Sequence, residues 1–96
     1  MDFEAAMQKY RDNFFSQYPP VNVSDLRPGM KIVVPEDPYD CGTGDLFMEV
    51  ISVDEPNGFR IGIHGKLTQT HPEAGEAGSE VVAQSPFDQV GMQAAA

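Results

Sequence analysis

One cysteine, no tryptophan and only six Lys or Arg in 96 residues set the first limits on this protein. A lone Cys41 excludes an intrachain disulfide framework and a CxxC zinc site. Without Trp, the chain lacks the broad aromatic surface on which sugars stack. No apolar run approaches the roughly 20 residues that cross a bilayer. The first ten residues, MDFEAAMQKY, place acids where a signal peptide needs Lys or Arg. Fifteen Asp and Glu against the six cations give a formal net charge of -9. A field of that sign repels phosphate backbones and anionic lipid. These shortages exclude direct nucleic-acid binding and membrane anchoring, and they suit a small cytoplasmic domain.

The acids that are present are unevenly placed. No Lys or Arg lies between Lys31 and Arg60, a stretch holding Glu36, Asp37, Asp40, Asp45, Glu49, Asp54 and Glu55. None follows Lys66, whereas Glu73, Glu76, Glu80 and Asp88 do. Net negative charge keeps a small domain soluble. Its clustering also suits a basic partner.

Residues 2–18 carry helical periodicity. Phe3, Met7, Tyr10, Phe14 and Tyr18 recur at spacings of four, three, four and four, which aligns them on one face as candidate core. Asp2 is placed to cap the first turn, and Pro19-Pro20 ends the element. From Val21 the period shortens to that of strands. Ser24 can open a short helical turn, and Pro28-Gly29 has type II turn chemistry. Met30–Val34 reads as a strand, as does Leu46–Asp54, with Leu46, Met48, Val50 and Ser52 on one face and Phe47, Glu49, Ile51 and Val53 on the other. Asn57-Gly58 signals a hairpin into a strand from Phe59 to His64. Residues 65–80 read as a mobile loop, and Val81–Ala83 as a short closing strand. Residues 1–90 form a single domain, with a helix over 2–18 and a β region over 21–83; residues 91–96 read as a flexible tail.

The sum is an α+β fold, an N-terminal helix on a small, strongly curved antiparallel sheet of four to five strands. The succession of Pro-Gly turn, strand, Gly-containing loop, strand and tight hairpin over Val23 to Val82 resembles SH3-like partial barrels. The resemblance implies architecture, not function.

No catalytic motif emerges, and no cofactor is implied. Cys41 with His64 or His71 offers a nucleophile and base on paper, but Asp40 and Asp45 raise a thiol pKa instead of lowering it. Zinc on Cys41, His64 and His71 lacks a ligand spacing that one element could provide. Both histidines read as exposed polar residues. The Asp37–Asp45 loop is dense in carboxylates, yet its spacing fails the EF-hand pattern, and its Gly42-Thr43-Gly44 lacks a phosphate-binding Lys.

The favoured function is therefore non-catalytic protein binding. An acidic rim of Glu36, Asp37, Asp40, Asp45, Glu49, Asp54 and Glu55 faces a basic partner, a nucleic-acid-binding protein among the suitable ones, with Tyr39, Phe47 or the helix aromatics as desolvated anchors. In size and charge the chain is similar to the small acidic inhibitors of phages and mobile elements, including anti-CRISPR proteins and DNA mimics. That resemblance implies carboxylates standing where phosphates would dock. The alternative is a small-ligand or metal-binding regulatory domain using the Asp37–Asp45 loop with His64 adjacent. The strand edges at Met30–Val34 and Val81–Ala83 are available to pair two copies as a homodimer.

Overall fold

Asp2 starts the first element. Its carboxylate accepts hydrogen bonds from the backbone N–H groups of Glu4 (3.0 Å) and Ala5 (3.4 Å), capping helix α1, Phe3–Gln17. Tyr18 is already extended, and Pro19-Pro20 carries the chain into strand β1, Pro20–Asn22. The computed structural model describes residues 2–36, 44–54, 61–85 and 87–93. The expected hairpin at Asn57-Gly58, its Phe59-Arg60 continuation and Cys41 lie outside those residues.

After β1 comes a 3₁₀ turn, Val23–Asp25, where a short helical turn was expected. Pro28-Gly29 forms the type II turn, with Gly29 at φ 91° and Met30 N–H donating to Arg27 C=O at 3.2 Å. Strands β2 (Lys31–Val34), β3 (Leu46–Val53), β4 (Gly62–Leu67), β5 (Glu80–Gln84) and β6 (Gln89–Met92) complete the chain. All six strands form one antiparallel sheet in the order β1-β6-β2-β3-β4-β5. The α+β class holds, with six strands instead of four to five, and the sheet is not closed into a barrel.

The last strand corrects the expectation of a flexible tail from residue 91. Gly91 and Met92 belong to β6, which sits between β1 and β2, and Val90 is fully buried. Gln-Val-Gly-Met carries too little apolar pattern to reveal a central strand. Its glycine is there for packing: a side chain at Gly91 would run into Tyr18 and stand 3.1 Å from the Phe14 ring. Val81–Ala83, expected to close the sheet, instead lies in β5 at its edge.

The two faces of the sheet have separate cores. Val33 pairs with both Gly91 and Phe47, and over this row lie Phe14 and Tyr18, the Tyr18 ring meeting Phe47 edge-on at 5.9 Å. Side chains alternate along strands, so Ile32, Val34, Met48 and Val90 point away from the helix. They join Val50, Ile63 and Ala83, with Val23 and Leu26 from the turn, in one buried cluster. Strands as far apart in the order as β6 and β5 meet in that cluster, which requires the sheet to curl over it. Each fully buried aliphatic there contributes about 1.5–3 kcal/mol relative to exposure. The helix thus covers the face opposite this cluster.

Only part of the helical stripe is core. Phe14 is buried, Met7, Tyr10 and Tyr18 are half-buried, and Phe3 is 54% exposed.

Strand β3 departs from simple alternation. Val50 pairs with Gly65 and Ser52 with His64, so Ile51 is an extra residue and the register shifts. Beyond this bulge Val53 pairs with Ile63 and packs on the main cluster, instead of sharing a face with Phe47 and Glu49 as expected. Gly65 makes the bulge possible, because a side chain there would collide with the Glu49 carbonyl.

Candidate functional site

Antiparallel register sorts the acids by end of the sheet. The end of β2, the start of β3, the end of β4 and the start of β5 lie together. Glu36 and Asp45 flank the loop between β2 and β3 at this end. Asp45 Oδ1 accepts the Glu36 backbone N–H at 2.9 Å, and the Glu36 carbonyl accepts the Tyr10 hydroxyl at 2.7 Å. The loop base is thereby tied to its own far side and to the helix. The Asp45 carboxyl sits above its ordinary pKa, chiefly because burial disfavours the charge. The Glu36 carboxylate pushes the same way, against the stabilising backbone N–H.

The connection between β4 and β5 joins this end through His71. The imidazole is buried, at 9% exposure, where an exposed histidine was expected. Its Nδ1 accepts the backbone N–H groups of Glu73 (3.1 Å) and Ala74 (3.0 Å). Nδ1 is thus the unprotonated nitrogen, and Nε2–H donates to the Gly44 carbonyl at 3.1 Å. One ring staples the 69–79 segment to the base of the 36–45 loop, linking the Glu73 backbone to that of Gly44. Further bonds shape the segment: Ala77 N–H to Thr70 Oγ1 at 3.2 Å, Gly78 N–H to Leu67 C=O at 2.7 Å, and a bridge between His71 and Gly75. The expectation of a structureless loop over 65–80 is corrected accordingly. His71-Pro72 and Gly75 signal a turn in the sequence, but nothing local shows that the imidazole reaches Gly44.

The continuous rim does not survive the topology. Asp54 follows the last residue of β3 and Asp45 precedes the first, so roughly 30 Å of strand at about 3.3 Å per residue separates them. Glu49 lies mid-strand, opposite Lys31 on one side and Lys66 on the other. Lys66 in turn faces Glu80, giving a Lys-Glu-Lys-Glu row across β2 to β5. Such cross-strand pairs contribute roughly 0.2–1 kcal/mol each, and Glu49 is a member of that row, not of a rim. Asp37, Tyr39, Asp40 and Glu55 lie outside the described residues.

The expected anchors are largely committed elsewhere. Phe14, Tyr18 and Phe47 pack on one another between helix and sheet. Phe3, Met7, Arg11 and Phe87 line a shallow groove of about 200 Å³ beside α1. The Arg11 guanidinium lies 5.6 Å from the Phe87 ring centre and 3.1 Å from Gln89 Oε1, so this groove presents a cation and does not suit a basic partner.

A metal or nucleophile reading gains nothing from the geometry. Both His71 nitrogens are engaged, which leaves no lone pair for an ion and no free base for a thiol. His64 stands in β4 opposite Ser52 and Val82, away from Asp45 at the start of β3, its Nε2 3.8 Å from Glu80. Among the described residues no group of three or more His, Cys, Asp or Glu is placed to hold a metal ion. No helix among them is long and apolar enough to cross a membrane.

Comparison with protein-family models, curated proteins and solved structures returns no match.

Proposed function

We propose that the protein is a non-catalytic, cytoplasmic binding module that docks one acidic end of its sheet on a basic surface of another protein. The observation that carries this is Asp45 held against Glu36 at the base of a loop that also contains Asp37 and Asp40. His71 ties the backbone of Glu73 to Gly44, the residue before Asp45. The chain has no Lys or Arg between residues 32 and 59. The raised Asp45 pKa comes chiefly from burial, with the Glu36 carboxylate adding to it, and a cation nearby relieves that repulsion. Steering by such a field speeds encounter and weakens with salt. The acidic rim expected from the sequence narrows to this end, without Glu49 and Asp54. An SH3-like sheet arrangement and the role of a mobile-element inhibitor mimicking nucleic acid extend the same proposal. The first rests on turn spacing and the second on size and charge.

Titration with an octalysine peptide, followed by amide chemical shifts, tests the site directly. Shifts should concentrate at Glu36, Gly44, Asp45 and Glu73, fade with added salt, and vanish in the D37K/D40K/E73K variant. Shifts centred on Asp54, or indifferent to salt and to the reversals, would overturn the proposal. Affinity purification of the tagged chain should then recover partners of high isoelectric point.

A further inference from the structure

The two edges of the sheet differ. Strand β1 is three residues long, begins with Pro20, and runs straight into the 3₁₀ turn, all of which blunt an edge against pairing. Strand β5, Glu80-Val-Val-Ala-Gln84, has neither Pro nor Lys, and among the described residues no strand pairs with its outer side. At its centre Val82 is 65% exposed, a large aliphatic side chain left in water.

The direction of the β5 backbone groups follows from its partner. Leu67 N–H donates to Ser79 C=O, so the alternation of an antiparallel ladder turns Val81 and Ala83 toward β4. The N–H and C=O groups of Glu80, Val82 and Gln84 therefore point outward. Gly62 C=O accepts from Asp54 on β3, in agreement with that alternation at the far end of β4.

We propose that β5 pairs antiparallel with β5 of a second copy about a two-fold axis through Val82, joining the two sheets edge to edge. In this register Val82 faces Val82, and each Glu80 faces a Gln84. Both hydrogen bonds of the Val82 pair and both of each Glu80–Gln84 pair use the outward groups. Centring on Val81 or Ala83 would leave some of those groups unpaired. Glu80 meets an amide that donates to it, so no like charges stand opposite. A strand pair of five residues falls short of the roughly 1,000 Å² typical of stable interfaces. The dimer is accordingly weak, with a dissociation constant on the order of 0.1–1 mM. Two chains of -9 repel each other, so added salt tightens this contact, opposite to its effect on an acidic docking end. The two proposals thus fail separately.

Sedimentation equilibrium from 20 µM to about 1 mM, at low and high salt, tests the pairing. The expected result is a dimer that strengthens with salt and loses at least about tenfold in association with V82P. Proline at 82 removes only an outward N–H and spares the β4–β5 ladder, so thermal unfolding should barely move. V82K, which sets Lys opposite Lys on an exposed site, should have the same effect should V82P fail to fold. Q84E should weaken the dimer and E80Q/Q84E restore it, which fixes the register. A chain monomeric at every concentration and salt, or a dimer indifferent to both V82P and V82K, would overturn the proposal. So would a dimer that salt dissociates, or one that E80Q/Q84E fails to restore.

Discussion

Phe14 lies on the bare backbone of Gly91. The ring of the one buried helix aromatic stands 3.1 Å from the position that a Gly91 Cβ would take, and Tyr18 Cβ stands closer still. The contact joins residues 77 positions apart in the chain and seats α1 on the outer face of the sheet. G91A should therefore destabilise the fold by about 1–3 kcal/mol through overpacking, because Tyr18 and Phe14 must both move. Urea unfolding measures the loss. An unchanged midpoint in G91A would show that the helix seat is not as close as described.

His71 is the second long-range fixture. H71A removes the acceptor for Glu73 and Ala74 and the donor to Gly44. The expected cost is about 2–3 kcal/mol, at roughly 0.5–1.5 kcal/mol for each lost bond and with water replacing part of them. Amide exchange at Glu73 and Ala74 should accelerate more than exchange in β2 or β3. Binding of octalysine should weaken with it, since the segment carrying Glu73 is no longer tied to Gly44.

Asp45 gives a pH dependence of definite sign. Its folded pKa lies above the ordinary 3.8, so the folded chain holds that proton more tightly than the unfolded chain does. Stability attributable to Asp45 is full below 3.8 and is lost as pH rises through the raised folded value. D45N keeps an oxygen to accept the Glu36 N–H and removes the charge. At pH 7 it should equal or exceed wild type by less than about 1 kcal/mol, since solvent screens a half-buried group. The difference should shrink as pH falls through this window. Urea curves of both proteins from pH 3.5 to 7 provide the comparison. A D45N protein markedly weaker at pH 7 would mean that the charge stabilises the loop base.

The N-cap offers a local control. D2A should cost about 0.5–2 kcal/mol by freeing the Glu4 and Ala5 N–H groups. Helical circular dichroism should fall at lower temperature than the sheet signal. Unfolding of α1 in step with the sheet would instead show that the Phe14–Gly91 contact couples them fully.

These cases separate short-range from long-range information. The start and stop of α1, the 3₁₀ turn at Val23 and the Pro28-Gly29 turn were legible because capping, proline sterics and positive φ act over a few residues. Strand β6 was not, because Gln-Val-Gly-Met gains its place from neighbours on β1, β2 and α1, not from its own pattern. Val53 was assigned to the wrong face because one bulged residue inverts the parity of everything after it.

The amino-acid sequence alone determined the sign of the protein's field, the absence of cationic residues around the 36–45 loop, and the helix-then-strands order. Those properties are sums or neighbour relations along the chain. Only the tertiary structure decided which acids stand together. Register set Glu49 between two lysines, strand length carried Asp54 to the far end, and a buried imidazole tied the 69–79 segment to Gly44. Each depends on pairing between distant segments, and the free energy of such pairing is shared across the whole sheet.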